Sequence, residues 1–170
     1  MKTMIPSNIG SYEERLKDFN WSMAERELGY KAGDDINIAW YCTDRVCTMG
    51  KAGKTALIWE GLGGATKKYT FNDLRLASNT IASFLQGLGI QREQRVCLFM
   101  DRIPELYLGF LGVLKMGGVA QPLFSAFGDE SLLVRLENAQ TTTVITTRKH
   151  AGKVRKIREK LPHLKHVIVV

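Results

Sequence analysis

Residues 113–131 constrain the fold more than any other stretch of this chain. An apolar segment with Val113 and Leu114 runs into Gly117-Gly118, a short apolar run follows at 119–122, and a loop at 123–128 leads to Asp129 and Glu130. Glycine accepts the left-handed backbone that ends a helix, and proline cannot donate inside a central ladder. The pattern predicts helix, stop, a short buried strand ending at Pro122, loop, helix. The loop leaves the carboxyl end of a strand, which is where open α/β sheets bind their ligands.

The surrounding sequence repeats that alternation. Residues 96–100 form a continuous apolar run, the signature of a strand buried on both faces. Pro104 then opens a helix over 105–116 that is apolar nearly all round and is expected to be buried. Residues 129–138 read as a helix, 143–146 as a strand, 150–161 as a basic helix and 166–170 as a last strand. Strands alternating with helices predict an α/β fold, a mostly parallel sheet with helices on both faces.

Upstream, residues 1–50 read as a helical arm and 51–170 as the main domain. Ser11 to Glu14 and Ser22 to Glu25 both have the capping-box spacing, and 37–46 is a third helical segment. Residues 54–60 and 66–70 pair as a hairpin across Gly61 to Gly64. Thr70 and Asp73 cap a helix whose apolar stripe is Leu74, Ala77, Ile81, Phe84, Leu85 and Leu88.

Charge is concentrated. The chain carries a net +7, and residues 148–165 hold eight Lys or Arg against one Glu, which accounts for all of it. A solvated helix face explains such a segment, with Val154, Ile157 and Leu161 inward and Lys149, Lys153, Lys156 and Lys160 outward. The functional alternative is an anion site: Arg148, Lys149, His150 and Lys153 sit at a strand-to-helix turn, where helix N–H groups also favour a phosphate. Nucleic acid is disfavoured, because one helix without interleaved aromatics is a thin footprint.

Other motifs carry less. Residues 48–55 nearly match a phosphate-binding P-loop, but Thr48 stands where glycine is needed and the order is helix then strand. Residues 61–66 lack the third glycine of a dinucleotide fingerprint and read as a turn. Asp101, Asp129 and Glu130 read as helix caps. Cys42, Cys47 and Cys97 have no metal-ligand spacing and read as buried thiols of a cytoplasmic protein. No run is long and apolar enough for a membrane span. No catalytic constellation is visible.

Several pieces resemble AMP-forming acyl-CoA synthetases of the adenylate-forming superfamily, most of all the acetyl-CoA synthetases. They are Asn20-Trp21, Asn37 to Ala39 with Asp44-Arg45, Lys54 to Gly61, Tyr69 to Leu74, and the stretch around Pro122 to Gly128. The resemblance implies that an acyl-adenylate forms from a carboxylate and ATP, and that the acyl group passes to coenzyme A. It implies Mg2+ for the complete enzyme, with no ligands for it here. It also implies an N-terminal fragment, inactive alone, since the family's phosphate loop and adenine, ribose and catalytic-lysine motifs are absent. Acetate or a short-chain acid is the implied substrate. The alternatives are another adenylate-forming enzyme, such as a longer-chain ligase or a carrier-protein-loading domain, and a non-enzymatic remnant with a basic surface.

Two family sites carry over. Phe124, Ser125 and Ala126 occupy the place of a Phe-Gly-Gly loop that borders the CoA nucleotide. His150, Ala151, Gly152 and Lys153 match an Arg-Ala-Gly-Arg turn that holds CoA phosphates, with Lys149 offered as a substitute charge. Both departures change chemistry: Ser125 and Ala126 add bulk, and Lys153 lacks the bidentate fork of arginine.

Overall fold

The computed structural model describes residues 10–170 and divides into two compact units, one up to Ile36 and one over Asn37–Val170. The first unit contains α1 (Tyr12–Asp18) and α2 (Trp21–Leu28). Ser11 caps α1 as its spacing predicts, accepting from the Glu14 N–H. The second capping box is corrected: Asn20 caps α2 by accepting from the Met23 N–H, and Ser22 lies inside the first turn. Asn20 precedes Trp21, so helix begins two residues earlier than a serine cap would allow. Gly29 ends α2 in the left-handed region, at φ 75°.

In the second unit the segment 37–46 is not one helix. It forms α3 (Ile38–Cys42) and α4 (Asp44–Val46), broken at Thr43, and runs on through a π-turn, Cys47–Lys51, in which Gly50 has φ 75°. At the break the Thr43 hydroxyl oxygen lies 2.7 Å from the Ala39 carbonyl, which also accepts from the Thr43 N–H, and 2.8 Å from the Asp44 carboxylate, so its one proton serves either acceptor. Cys42 is exposed and Cys47 half-buried, so of the three thiols only Cys97 is buried as expected.

The hairpin forms as read, with β1 (Thr55–Glu60) antiparallel to β2 (Thr66–Thr70). Thr70 and Asp73 make the full capping box of α5 (Phe71–Gly87): Asp73 N–H donates to Thr70 Oγ1 at 3.1 Å, and Thr70 N–H donates to Asp73 at 2.8 Å. Its buried stripe is Leu74, Ser78, Ala82 and Leu85, whereas Phe84 and Leu88 are exposed. The stripe is rotated from the expected one, and Ile81 beside it is partly buried against the same core.

That neighbour is α6 (Pro104–Lys115), with Pro104 in its first turn. It is not buried all round, since Tyr107 and Phe110 reach solvent and the inward side is Pro104, Gly109, Gly112 and Val113. A Cβ at Gly112 would stand 2.5 Å from Ile81 Cγ2, so glycine is what lets α5 and α6 approach this closely.

The central sheet is parallel, with strands β3 (Arg95–Phe99), β4 (Val119–Leu123), β5 (Thr143–Thr146) and β6 (His166–Val169) in the order β4-β3-β5-β6. α5 and α6 cover one face through Val96, Leu98, Ile145, Leu85 and Val113. α7 (Asp129–Asn138) and α8 (Arg148–Ile157) cover the other through Cys97, Phe99, Val144, Leu132, Leu136 and Val154. Alternation along β3 feeds both cores, as a doubly covered strand requires. Burial without a charged partner pushes the Cys97 thiol far above its ordinary range, so it packs as a small apolar group.

β4 corrects two expectations together. It is an edge strand, not a buried one, and it runs through Pro122 to Leu123. Val119 N–H donates to the Gln94 carbonyl, so residues 119, 121 and 123 face β3 and Pro122 faces the open edge, where no donor is needed.

Candidate functional site

Parallel strands bring the loops after β3, β4 and β5 to one rim. The connection through α6 carries β3 to β4 on one side, and the connection through α7 crosses back to β5 on the other. The chain therefore reverses direction between β3 and β5. In doubly wound sheets such a switch point opens a crevice at the strand ends.

Asp101, two residues beyond β3, stands at this point. It does not cap a helix, which corrects the first reading; Ile103 occupies the cap position of α6. Its carboxylate accepts from Lys149 Nζ at 2.7 Å and from His150 Nε2 at 3.0 Å. An ionised carboxylate only accepts, so the His150 proton lies on Nε2. The Lys149 ammonium, then the Ser125 hydroxyl and the His150 ring, hold the Asp101 carboxyl far below the usual carboxylate range. Asp129 is likewise not a cap, since Gly128 holds that position; its carboxylate accepts from Lys156 at 3.4 Å. Glu130 lies in the first turn of α7.

The loop after β4 places Phe124 outward, 66% exposed, with Ser125 half-buried and Ala126 exposed. The ring of Phe124 meets Phe127 edge-on at 5.9 Å, and the Arg135 guanidinium lies 4.2 Å from the centre of the Phe127 ring. From α8, Lys153 Nζ donates to the Ser125 carbonyl at 3.1 Å and to the Phe127 carbonyl at 2.8 Å. The two segments singled out by resemblance thus lie in direct contact.

α8 begins at Arg148, two residues earlier than the sequence pattern suggests, and gives way at Arg158–Lys160 to a 3-10 turn. His150 is consequently inside the first turn rather than before it. It is buried, its ring centre 5.4 Å from that of Phe99. Lys149 is the accessible cation of the three, with a side chain 71% exposed. Sequence reasoning missed Asp101 as a member of this cluster, and the signal was available: an acid two residues after a buried strand, on the same rim as the basic turn at residues 148–153.

Among the described residues no group of three or more His, Cys, Asp or Glu is placed to hold a metal ion, and no helix is long and apolar enough to cross a membrane. The described residues therefore supply no protein-only cage for the Mg2+ that the resemblance implies for the complete enzyme.

Known proteins resemble this chain in sequence and in fold. Over 164 residues the chain is 35% identical to the acetyl-coenzyme A synthetase of Bacillus subtilis (strain 168), a match covering 96% of this chain and 28% of that protein. It is 32% identical over 147 residues to the acetyl-coenzyme A synthetase of Deinococcus radiodurans, covering 81% of this chain and 23% of that one. Among solved structures, an acyl-CoA synthetase of Brucella canis superposes with a TM-score of 0.82 at 25% identity, over 94% of this chain and 28% of that chain. The chain therefore spans about a quarter of the length of the curated relatives it matches. The model of the AMP-binding enzyme family matches residues 44–170, three quarters of the chain, and this protein belongs to that family.

Proposed function

We propose that the chain is the N-terminal part of an acetate or short-chain acyl-CoA ligase and supplies one side of its CoA nucleotide site. In the complete enzyme a carboxylate oxygen attacks the α-phosphorus of ATP, pyrophosphate leaves, and the thiol of coenzyme A then displaces AMP from the acyl-adenylate. The sheet, its two cores and the rim are this chain's share; the groups that carry out either displacement lie in the rest of such an enzyme. A cytoplasmic location belongs to the same reading.

The observation that carries it is the meeting of two loops at one rim. Phe124, Ser125 and Ala126 lie against Lys153 through the Ser125 and Phe127 carbonyls, with Lys149 and His150 one turn away. An exposed aromatic ring offers a face to a base, and a solvent-facing ammonium offers a charge to a phosphate. The identity with an acetyl-coenzyme A synthetase supports that substrate class.

Calorimetric titration of the chain with coenzyme A and with single-stranded RNA, each at two salt concentrations, tests the reading. CoA binding that weakens about tenfold in both Phe124→Ala and Lys149→Ala supports it. RNA binding with a steep salt dependence, and no measurable response to CoA, would instead make the exposed side of α8 a polyanion surface.

A further inference from the structure

We infer that Lys153 is a positioning residue, holding the loop after β4 from within rather than contacting a ligand phosphate. The inference rests on the CoA-site reading above and assigns a role inside it.

Lys153 reaches across from α8, a half-buried side chain, and its ammonium donates to two main-chain carbonyls of one loop, Ser125 at 3.1 Å and Phe127 at 2.8 Å. The same ammonium lies 5.7 Å from the centre of the Phe99 ring, whose face favours a cation. No described carboxylate pairs with it. An ammonium has three N–H donors, so two of three are already committed to the loop. Those two carbonyls flank Ala126, and the backbone between them turns through a bond from Phe127 N–H to the Phe124 carbonyl at 3.0 Å. The Ser125 hydroxyl also bonds to the Asp101 carboxylate, while the two Lys153 bonds hold the main chain of the loop, which carries Phe124 outward. Lys153 therefore sets the direction in which that ring is displayed. The exposed cations of this turn are Arg148 and Lys149, the latter bound on one side to Asp101.

This arrangement also gives the Lys-for-Arg departure a physical reason. A compact ammonium on a flexible stem fits between two carbonyl oxygens, whereas a planar guanidinium matches the two oxygens of a phosphate or carboxylate.

The test compares the unmodified chain with Lys153→Met and Lys153→Gln, using two ligands, coenzyme A and coenzyme A lacking its ribose 3′-phosphate. Amide hydrogen exchange is read over residues 124–128, with the amides of β3 and β5 as the internal reference. In Lys153→Met the loop amides exchange about ten times faster while the strand amides are unchanged. Affinity for both ligands falls by the same factor, so their ratio is preserved, and Lys153→Gln, whose amide still donates, recovers part of both effects. A fall for coenzyme A alone would make Lys153 a phosphate contact and overturn the inference; so would loop exchange that does not change. If Lys153→Met exposes the strand amides as well, the same two readouts in Lys153→Gln decide. If the unmodified chain binds neither ligand, the CoA reading fails while the exchange measurement still decides whether Lys153 holds the loop.

Discussion

Asp101 makes the rim of the sheet dependent on pH. Its carboxyl is held low by Lys149, Ser125 and His150, so it stays ionised in the folded chain at pH values where an unfolded aspartate begins to protonate. A depressed folded pKa contributes stability that is complete above the unfolded value and is lost as pH falls through the folded one. Asp101→Asn is therefore expected to be less stable than the unmodified chain at pH 7, with the gap closing as pH drops below about 4, near the ordinary aspartate value. Urea unfolding at pH 7, 4 and 2.5 measures that difference. A second ion pair lies deeper. Lys115 Nζ donates to Asp44 at 2.5 Å and to Thr43 Oγ1 at 3.0 Å. Burial pushes the Asp44 carboxyl up, and the bonds from Lys115 and Thr43 together outweigh it and bring it below its ordinary value. Lys115→Met leaves Asp44 charged without its cation, and a loss of about 2–4 kcal/mol in urea unfolding is expected, since breaking one half of such a pair strands the other.

Two elements show how a single residue type decides packing. The α5–α6 contact depends on Gly112, because any Cβ there meets Ile81 at 2.5 Å and the Ser78 carbonyl at 3.3 Å. Gly112→Val is expected to cost about 3 kcal/mol by overpacking, and combining it with Ile81→Ala should restore a large part of the loss. Thermal unfolding of the two single variants and the double variant measures this; strictly additive losses would show that the steric account is wrong. At the C-terminus of α6, Asn37 Nδ2 donates to the Leu114 and Lys115 carbonyls at 3.1 and 3.0 Å, the first of which also accepts from the Gly117 N–H. The same side chain accepts from the Trp40 N–H and so caps α3. One asparagine thus joins the end of one helix to the start of another.

At the scale of the molecule, the two outer strands of the sheet among the described residues, β4 and β6, differ in protection. β4 carries Pro122 on its open side. β6 has neither proline nor charge over residues 167–170, and Val169 and Val170 are about half exposed. The His166 and Val170 N–H groups donate to the carbonyls of Thr142, just before β5, and Thr146 at its end, so the alternate residue Val169 turns its N–H away from β5. Such an edge is a template for pairing with another strand. The isolated chain is expected to associate with increasing concentration in sedimentation velocity, and Val169→Pro, which removes that outward donor and leaves the β5 ladder intact, should shift it toward monomer.

Much of this was legible in the linear chain. The alternation of strands and helices, the Thr70–Asp73 cap, the apolar run of β3 and the glycine stop at Gly117 are local matters, governed by backbone preference and by the period of apolar residues. So was the basic segment, and the resemblance it carried with the loop at Phe124. What depended on the fold was every question of which side faces what. Pro122 could end a central strand or sit on an open edge, and only strand order chose the edge. The stripe of α5 could turn toward Phe84 or toward Ser78 and Ala82, and the close approach of α6, where Gly112 receives Ile81, decided for the second. Asp101 looked like a helix cap until β3 and β5 became neighbours, and Lys153 looked like a free cation until the β4 loop came within reach of it. Hydrogen bonds between residues 26 to 49 positions apart have no period in the sequence; they exist because parallel strands deliver their carboxyl ends to the same rim.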